Sequence, residues 1–155
     1  MKKPDSLRLL FFFFSIMVII MIDIASKLFM SELLEEKTIS VLGEYIKLTL
    51  FYNSGVAFSL PIQGIILQVL TILIIVSILY YYFRYEWKKR SLLLDLGYIA
   101  ILGGALSHAY ERIMAWEVVD FIQVKYFAVL NLADIFISVW ALCIIIYYFF
   151  YDRKE

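Results

Sequence analysis

Apolar residues fall into four long runs separated by short polar stretches. A membrane-crossing helix needs about 20 mostly apolar residues. Four windows predict such helices: about 9–26, 62–83, 92–110 and 126–151. The second carries no charge, the first ends on Asp23 and Lys27, the third opens near Asp95, and Asp134 alone interrupts the fourth. Backbone polar groups in lipid must be satisfied within their own segment, which makes each window a helix. The pattern changes between the first two. Residues 38–42 (TISVL) and 46–52 (IKLTLFY) are β-branched and aromatic runs around Gly43-Glu44, predicting two strands and a turn. Lys47 and Thr49 alternate with Ile46, Leu48 and Leu50, which suits a sheet resting one face on a bilayer. Asn53-Ser54-Gly55 breaks the strand, and Gln63-Gly64 after Pro61 suits the entry to the second helix. With no repeat, linker or low-complexity tail, the expectation is one integral domain over residues 1–155.

Charge placement orients these helices. Nine of the 14 Lys and Arg residues lie before the first window (Lys2, Lys3, Arg8), between the second and third (Arg84, Lys88, Lys89, Arg90), or after the fourth (Arg153, Lys154). The remaining five, Lys27, Lys37, Lys47, Arg112 and Lys125, fall on the other side. Cytoplasmic loops carry the excess of Lys and Arg, so both termini are predicted cytoplasmic, with 27–61 and 111–125 outside. Tyr80 to Trp87 reads as an aromatic belt beside a basic loop. Asp23 and Lys27 stand where a cleavage site would lie, so the first segment reads as a retained helix rather than a removed signal peptide.

Composition narrows the class further. The chain is 64% hydrophobic and 18% charged, far more apolar than a soluble domain of 155 residues can hide. Its net charge of zero gives no footprint for nucleic acid. One cysteine, Cys143, excludes a disulfide framework, and one histidine, His108, argues against a His-rich metal site. No metal or other cofactor is implied.

Ionisable groups at membrane depth cost a few kcal/mol each and usually mark function. Asp23, Lys27, Glu111, Arg112, Asp120 and Asp134 qualify, and the predicted topology gathers them near the outer face. Asp23 and Lys27, spaced i, i+4, share one helix face. Asp134 is predicted about two turns into the fourth helix. No Ser-His arrangement is present, but two carboxylates sharing a site and one proton can activate water and polarise a carbonyl. Asp120 (VVDFI) and Asp134 (NLADIFI) are the best pair, because neither has an adjacent cation. Structural roles compete with this reading: an ion pair for Asp23–Lys27, interfacial pairing for Glu111–Arg112, an interhelical hydrogen bond for Asp134, a packing hydrogen bond for His108. Gly103-Gly104-Ala105 suits close helix packing.

With these residues in view, the chain resembles the lipoprotein signal peptidases, the signal peptidase II family. Asp23-x-x-x-Lys27, Asn53-Ser54-Gly55-Val56-Ala57-Phe58, Gly103-Gly104-Ala105-Leu106, Val118-Val119-Asp120-Phe121-Ile122 and Asn131-Leu132-Ala133-Asp134 follow the family's motifs in order along nearly the whole chain. The resemblance implies a membrane all-α fold of four helices with a small extracytoplasmic sheet, in the bacterial cytoplasmic membrane. It implies an aspartic endopeptidase that cuts a prolipoprotein just before its diacylglyceryl-modified cysteine. Asp120 and Asp134 would be catalytic. Asn53, Arg112 and Asn131 would hold the substrate backbone or orient the pair, with Gly55 and Ala133 in the same motifs, and Asp23 and Lys27 would support the site. The partners implied are the lipidated substrate and membrane lipids, with the chain a monomer. Two positions depart from the family's usual Asn and Asp: His108 and Glu111, whose expected effect is on the geometry around Arg112 and on pH dependence. Two other readings stay open: a diverged homologue that binds lipidated peptides without cutting, and a small proton or ion relay. Carboxylates confined to one side and the lack of an inverted repeat disfavour the relay.

Overall fold

A computed structural model describes residues 5–55 and 64–151. Val56, Ala57, Phe58, Pro61 and Gln63, and the terminal cations Lys2, Lys3, Arg153 and Lys154, lie outside the described residues. Four helices are long and apolar enough to cross a membrane. They are α1 (Asp5–Leu34), α2 (Gly64–Tyr81), α3 (Leu92–Met114) and α4 (Leu132–Tyr151). A π-helical turn (Tyr82–Glu86) and a 3-10 turn (Trp87–Lys89) extend α2, and Arg90, in the left-handed conformation, ends the extension. Ser91 then caps α3, its hydroxyl accepting from the Leu94 amide.

α3 is the central element. It packs against α1, α2 and α4, and it is the most buried of the four. Close approach depends on glycine. A Cβ at Gly103 would stand 2.7 Å from Ile19, and one at Gly104 would stand 2.8 Å from the Ala133 carbonyl oxygen. The outward faces of α1, α2 and α4 carry exposed Leu, Ile, Phe and Val, the surface a lipid solvent accepts.

The strands form one antiparallel sheet in the order β1 (Ile39–Leu42), β2 (Ile46–Asn53), β3 (Val118–Val124), β4 (Ala128–Leu130). Two of these were expected and two were not. The stretch 111–125, expected as a loop, contains β3. The first residues of the window 126–151 form the exposed turn at Tyr126 and then β4, so α4 begins only at Leu132. Their apolarity reflects β-pairing with β3, which satisfies the backbone as well as a helix would.

The remaining boundaries differ for physical reasons too. α1 runs well past 26, because Asp23 and Lys27 are buried against protein partners and do not end the helix. α3 runs past 110, through Glu111 and Arg112 to Met114. Asp134 stands in the first turn of α4, not two turns in. The 80–87 stretch is not simply an aromatic belt. Tyr82 is fully buried, stacked on Phe12 at 4.5 Å and donating to Asp95 at 2.8 Å, while Glu86 is buried against the Tyr148 hydroxyl.

A second polar cluster therefore exists at the opposite end of α3. Arg8 donates to both Asp95 oxygens, at 2.8 and 2.6 Å, and to the Trp87 carbonyl at 2.7 Å. The expectation that buried carboxylates gather on one side fails at Asp95 and Glu86. Buried Ile99, Ala100 and Leu102 separate this cluster from the one at His108, about 20 Å along the helix.

Candidate active site

The start of α4 builds the site. Asn131 immediately precedes the helix, and its side-chain oxygen accepts from the Asp134 amide at 3.1 Å. In return, the Asn131 amide donates to Asp134 Oδ2 at 3.0 Å. This reciprocal pair is a capping box, with Asp in the position usually held by Glu or Gln. It satisfies two amides at the helix start and fixes the Asp134 side chain near the positive end of the helix dipole. A structural role for Asp134 and a chemical one are therefore compatible.

Asn131 also reaches Asp120. Its Nδ2 donates to Asp120 Oδ1 at 2.6 Å and to the Val119 carbonyl at 3.3 Å. One fully buried amide thus links both acids. Asp120 is on β3 opposite Phe51, 3% exposed, where strand alternation turns it inward with Val118. Its other oxygen accepts from Asn53 Nδ2 at 3.1 Å, from the last residue of β2. The Asn53 side-chain oxygen accepts from the Gly55 amide at 3.1 Å, closing the turn that follows. Burial raises the Asp120 carboxyl above the usual carboxylate range, and repulsion from Asp134 adds to this; the Asn53 and Asn131 amides pull the other way.

Asp23 holds the helices in register. It is fully buried and completely engaged. One oxygen accepts from the Ala133 amide at 2.9 Å, serving as a second, remote cap for α4. The other accepts from Ser107 at 2.6 Å and pairs with Lys27 at 2.7 Å. Lys27 also pairs with Glu111 Oε2, and Glu111 Oε1 accepts from the Val119 amide at 3.2 Å. The chain Asp23–Lys27–Glu111 therefore runs from α4 to the residue beside Asp120. The longer side chain at 111 spans that gap.

Arg112 and His108, spaced i, i+4 on α3, close the site. Arg112 donates to the Gly55 carbonyl at 3.3 Å, and its own carbonyl accepts from Gln68 of α2 at 2.6 Å. His108 Nε2 lies 3.2 Å from Asp134 Oδ1, in ion-pair range but outside hydrogen-bond geometry. Among the described residues, the buried side-chain nitrogens and oxygens without a hydrogen-bond partner are both ring nitrogens of His108 and Arg112 Nε. An orphaned buried group costs about 1–3 kcal/mol, so these nitrogens are polar capacity that the hydrogen bonds among the described residues leave unused. No group of three or more His, Cys, Asp or Glu side chains among the described residues is arranged to hold a metal.

Every described residue singled out from the sequence is thus in one network: Asp23, Lys27, Asn53, Gly55, His108, Glu111, Arg112, Asp120, Asn131, Ala133 and Asp134. Sequence reasoning missed Ser107 and the Val119 backbone. Ser107 precedes His108 in an apolar helix, and only the depth of Asp23 reveals its part.

Comparison with known proteins bears on this network. Residues 15–150 match a family model described as signal peptidase (SPase) II. A lipoprotein signal peptidase of Fusobacterium nucleatum is 31% identical, over 97% of this chain and 92% of its own. One from Listeria welshimeri is 30% identical, over 94% of this chain and 97% of its own. A solved structure titled a bacterial membrane enzyme shares the fold with a TM-score of 0.78, at 21% identity and over 93% of this chain and 92% of its own.

Proposed function

The chain belongs to the signal peptidase II family, and from that premise we propose that it is an aspartic endopeptidase acting on diacylglyceryl-modified prolipoproteins. It is a multi-pass bacterial membrane peptidase of prolipoprotein signal peptides. The finer reading is that Asp120 and Asp134 form the catalytic pair and cut just before the lipidated cysteine. The termini are cytoplasmic, and the sheet and site face outward, where the lipid anchor of the substrate holds the scissile bond at the membrane edge. The protein acts as a monomer without a cofactor.

The observation that carries this reading is the Asn131 bridge, which ties a buried Asp120 to the start of α4, where Asp134 is fixed. In the reaction, Asp134 as carboxylate accepts a proton from water while the water oxygen attacks the scissile carbonyl carbon. Asp120, holding the shared proton, donates it to the carbonyl oxygen. The tetrahedral intermediate collapses, the C–N bond breaks, and Asp134 passes its proton to the departing amine. The new carboxyl stays on the signal peptide, the free amine on the cysteine, and Asp120 recovers its proton. Arg112 and Asn53 border the position where a peptide backbone would lie.

The test is cleavage of a diacylglyceryl prolipoprotein in detergent or liposomes. Asp120→Asn and Asp134→Asn should each abolish cleavage while the protein still folds. Wild-type rates in either variant would refute the pair. Proton flux through liposomes that depends on Asp134, with no peptide product, would favour a relay instead. Binding of lipidated peptide without a product would identify a non-cleaving homologue.

A further inference from the structure

Asp23, Glu111, Asp120 and Asp134 face two cations, Lys27 and Arg112, in one cluster in which Asp23, Lys27 and Asp120 are buried and the Asp134 side chain is 31% exposed. One proton shared by Asp120 and Asp134 still leaves an uncompensated negative charge. Low-dielectric surroundings penalise such a charge heavily. His108 is the remaining titratable group in the cluster. It is buried, it has no hydrogen-bond partner at either ring nitrogen, and its Nε2 is 3.2 Å from Asp134 Oδ1.

We propose that His108 is a charge-bearing positioning residue: as imidazolium it pairs with Asp134, makes the cluster neutral, and assigns the shared proton to Asp120. The proposal rests on the catalytic reading of that pair and adds a third proton-binding member to it. The groups around the contact come from every side. Asp134 is on α4, Asp120 on β3, Lys27 and Asp23 on α1, and Arg112 and Glu111 on α3 itself. From α2, the uncharged Gln68 reaches only the Arg112 carbonyl. Lys27 pairs directly with Asp23 and Glu111, and Arg112, which donates to the Gly55 carbonyl, acts on Asp134 only at longer range; among the described residues, His108 is the group in direct ion-pair contact with Asp134.

His108 acts through Asp134 and need not touch substrate. With the imidazolium in place, Asp134 is ready to accept a proton from water. Without it, Asp134 must be ionised beside Asp120 with only the longer-range charges of Lys27 and Arg112 in its favour. His108→Asn keeps a polar side chain that cannot carry charge, though its amide stops short of the Nε2 position, which His108→Gln reaches. The acid limb of the kcat/KM profile should therefore move to higher pH in His108→Asn, by about 1 pH unit or more for a charge lost at this distance, while activity persists at the top of the profile. An uncharged histidine acting only in packing would lower the rate and leave the limb in place, and that result would overturn the proposal. His108→Gln repeats the test if the shorter amide fails to fold.

A second arm does not need cleavage. His108 is the chain's single histidine, so ring-nitrogen NMR of protein labelled at histidine, purified without a histidine tag, reads one residue. At about pH 7, just above the ordinary imidazole range, the wild type should show two protonated ring nitrogens and Asp134→Asn a neutral ring. A neutral ring in the wild type overturns the proposal. Identical spectra in the two proteins do the same. If the wild type cuts nothing at any pH, the catalytic reading falls, while the spectra still decide the charge pairing.

Discussion

Asn131→Ser separates two jobs that one side chain performs. Asn131 caps α4 through its side-chain oxygen and orients Asp120 through Nδ2 at 2.6 Å. Serine is about as good an N-cap as asparagine, so the helix start should survive. Its hydroxyl is too short to reach Asp120, so that bond and the contact with the Val119 carbonyl are lost. With Asp120 holding the shared proton, the bond is one to a neutral carboxyl and contributes about 0.5–1.5 kcal/mol. If the loss is fully expressed in the transition state, kcat/KM should fall about 2- to 13-fold. Asn131→Ala loses the same bond and the cap as well, costing about 1 kcal/mol more in stability. The two variants should therefore match in kcat/KM and differ in thermal unfolding. The assays are prolipoprotein cleavage and melting of the purified protein in one detergent. Wild-type kcat/KM in Asn131→Ser would refute the bridge as the device that holds Asp120. A much slower Asn131→Ala would move the weight from the bridge to the helix start.

Gly104→Ala places a methyl 2.8 Å from the Ala133 carbonyl, where backbone cannot give way, so it should cost about 1–3 kcal/mol in unfolding and lower cleavage by displacing α4. Gly97→Ala meets the end of the Ile144 side chain instead, so its melting temperature should fall less and its kcat/KM should hold. Glu111→Gln keeps the acceptor for the Val119 amide but leaves Lys27 with Asp23 alone, so stability should drop by about 1.5–3 kcal/mol and activity less than in either dyad variant. Asn53→Ala removes a donor that favours the ionised form of Asp120, whose carboxyl burial already raises. The protonated form gains, and the basic limb of kcat/KM against pH should move to higher pH; a downward move would contradict the assignment. Asp95→Asn leaves Arg8 without its carboxylate and should cost about 3–5 kcal/mol in thermal unfolding while kcat stays near wild type, since the pair is remote from Asp120 and Asp134.

The four helices were legible because lipid demands length and apolarity in one continuous run. The same demand misled at 126–130, where a β-hairpin supplies the apolar residues, since hydropathy does not distinguish a paired strand from the first turn of a helix. The acids of the site were legible as misfits in apolar surroundings. Their links were not. Nothing in the spacing of Asp23 and Ala133 shows that one caps the other's helix across 110 positions. Asp95 was legible only as an acid near the start of the third window, because its partners, Arg8 and Tyr82, belong to other elements of the chain.

Both polar clusters are on α3, and the reason is solvent. α1, α2 and α4 face lipid over most of their length, where a charged side chain has no partner, and their cluster members, Arg8, Asp23, Lys27 and Asp134, are the ones that meet α3. α3 is surrounded by protein, so Asp95, Ser107, His108, Glu111 and Arg112 each find partners on neighbouring elements. That burial in turn requires close packing, which Gly97, Gly103 and Gly104 permit on the faces toward α1 and α4. The same approach at Gly104 brings the Ala133 carbonyl against α3 and sets the depth of the α4 start. Helix packing and site geometry are therefore one constraint. A substitution that widens the α3–α4 gap should disturb Asp134 before it unfolds the bundle, so activity should be lost at temperatures where the helices remain intact by circular dichroism.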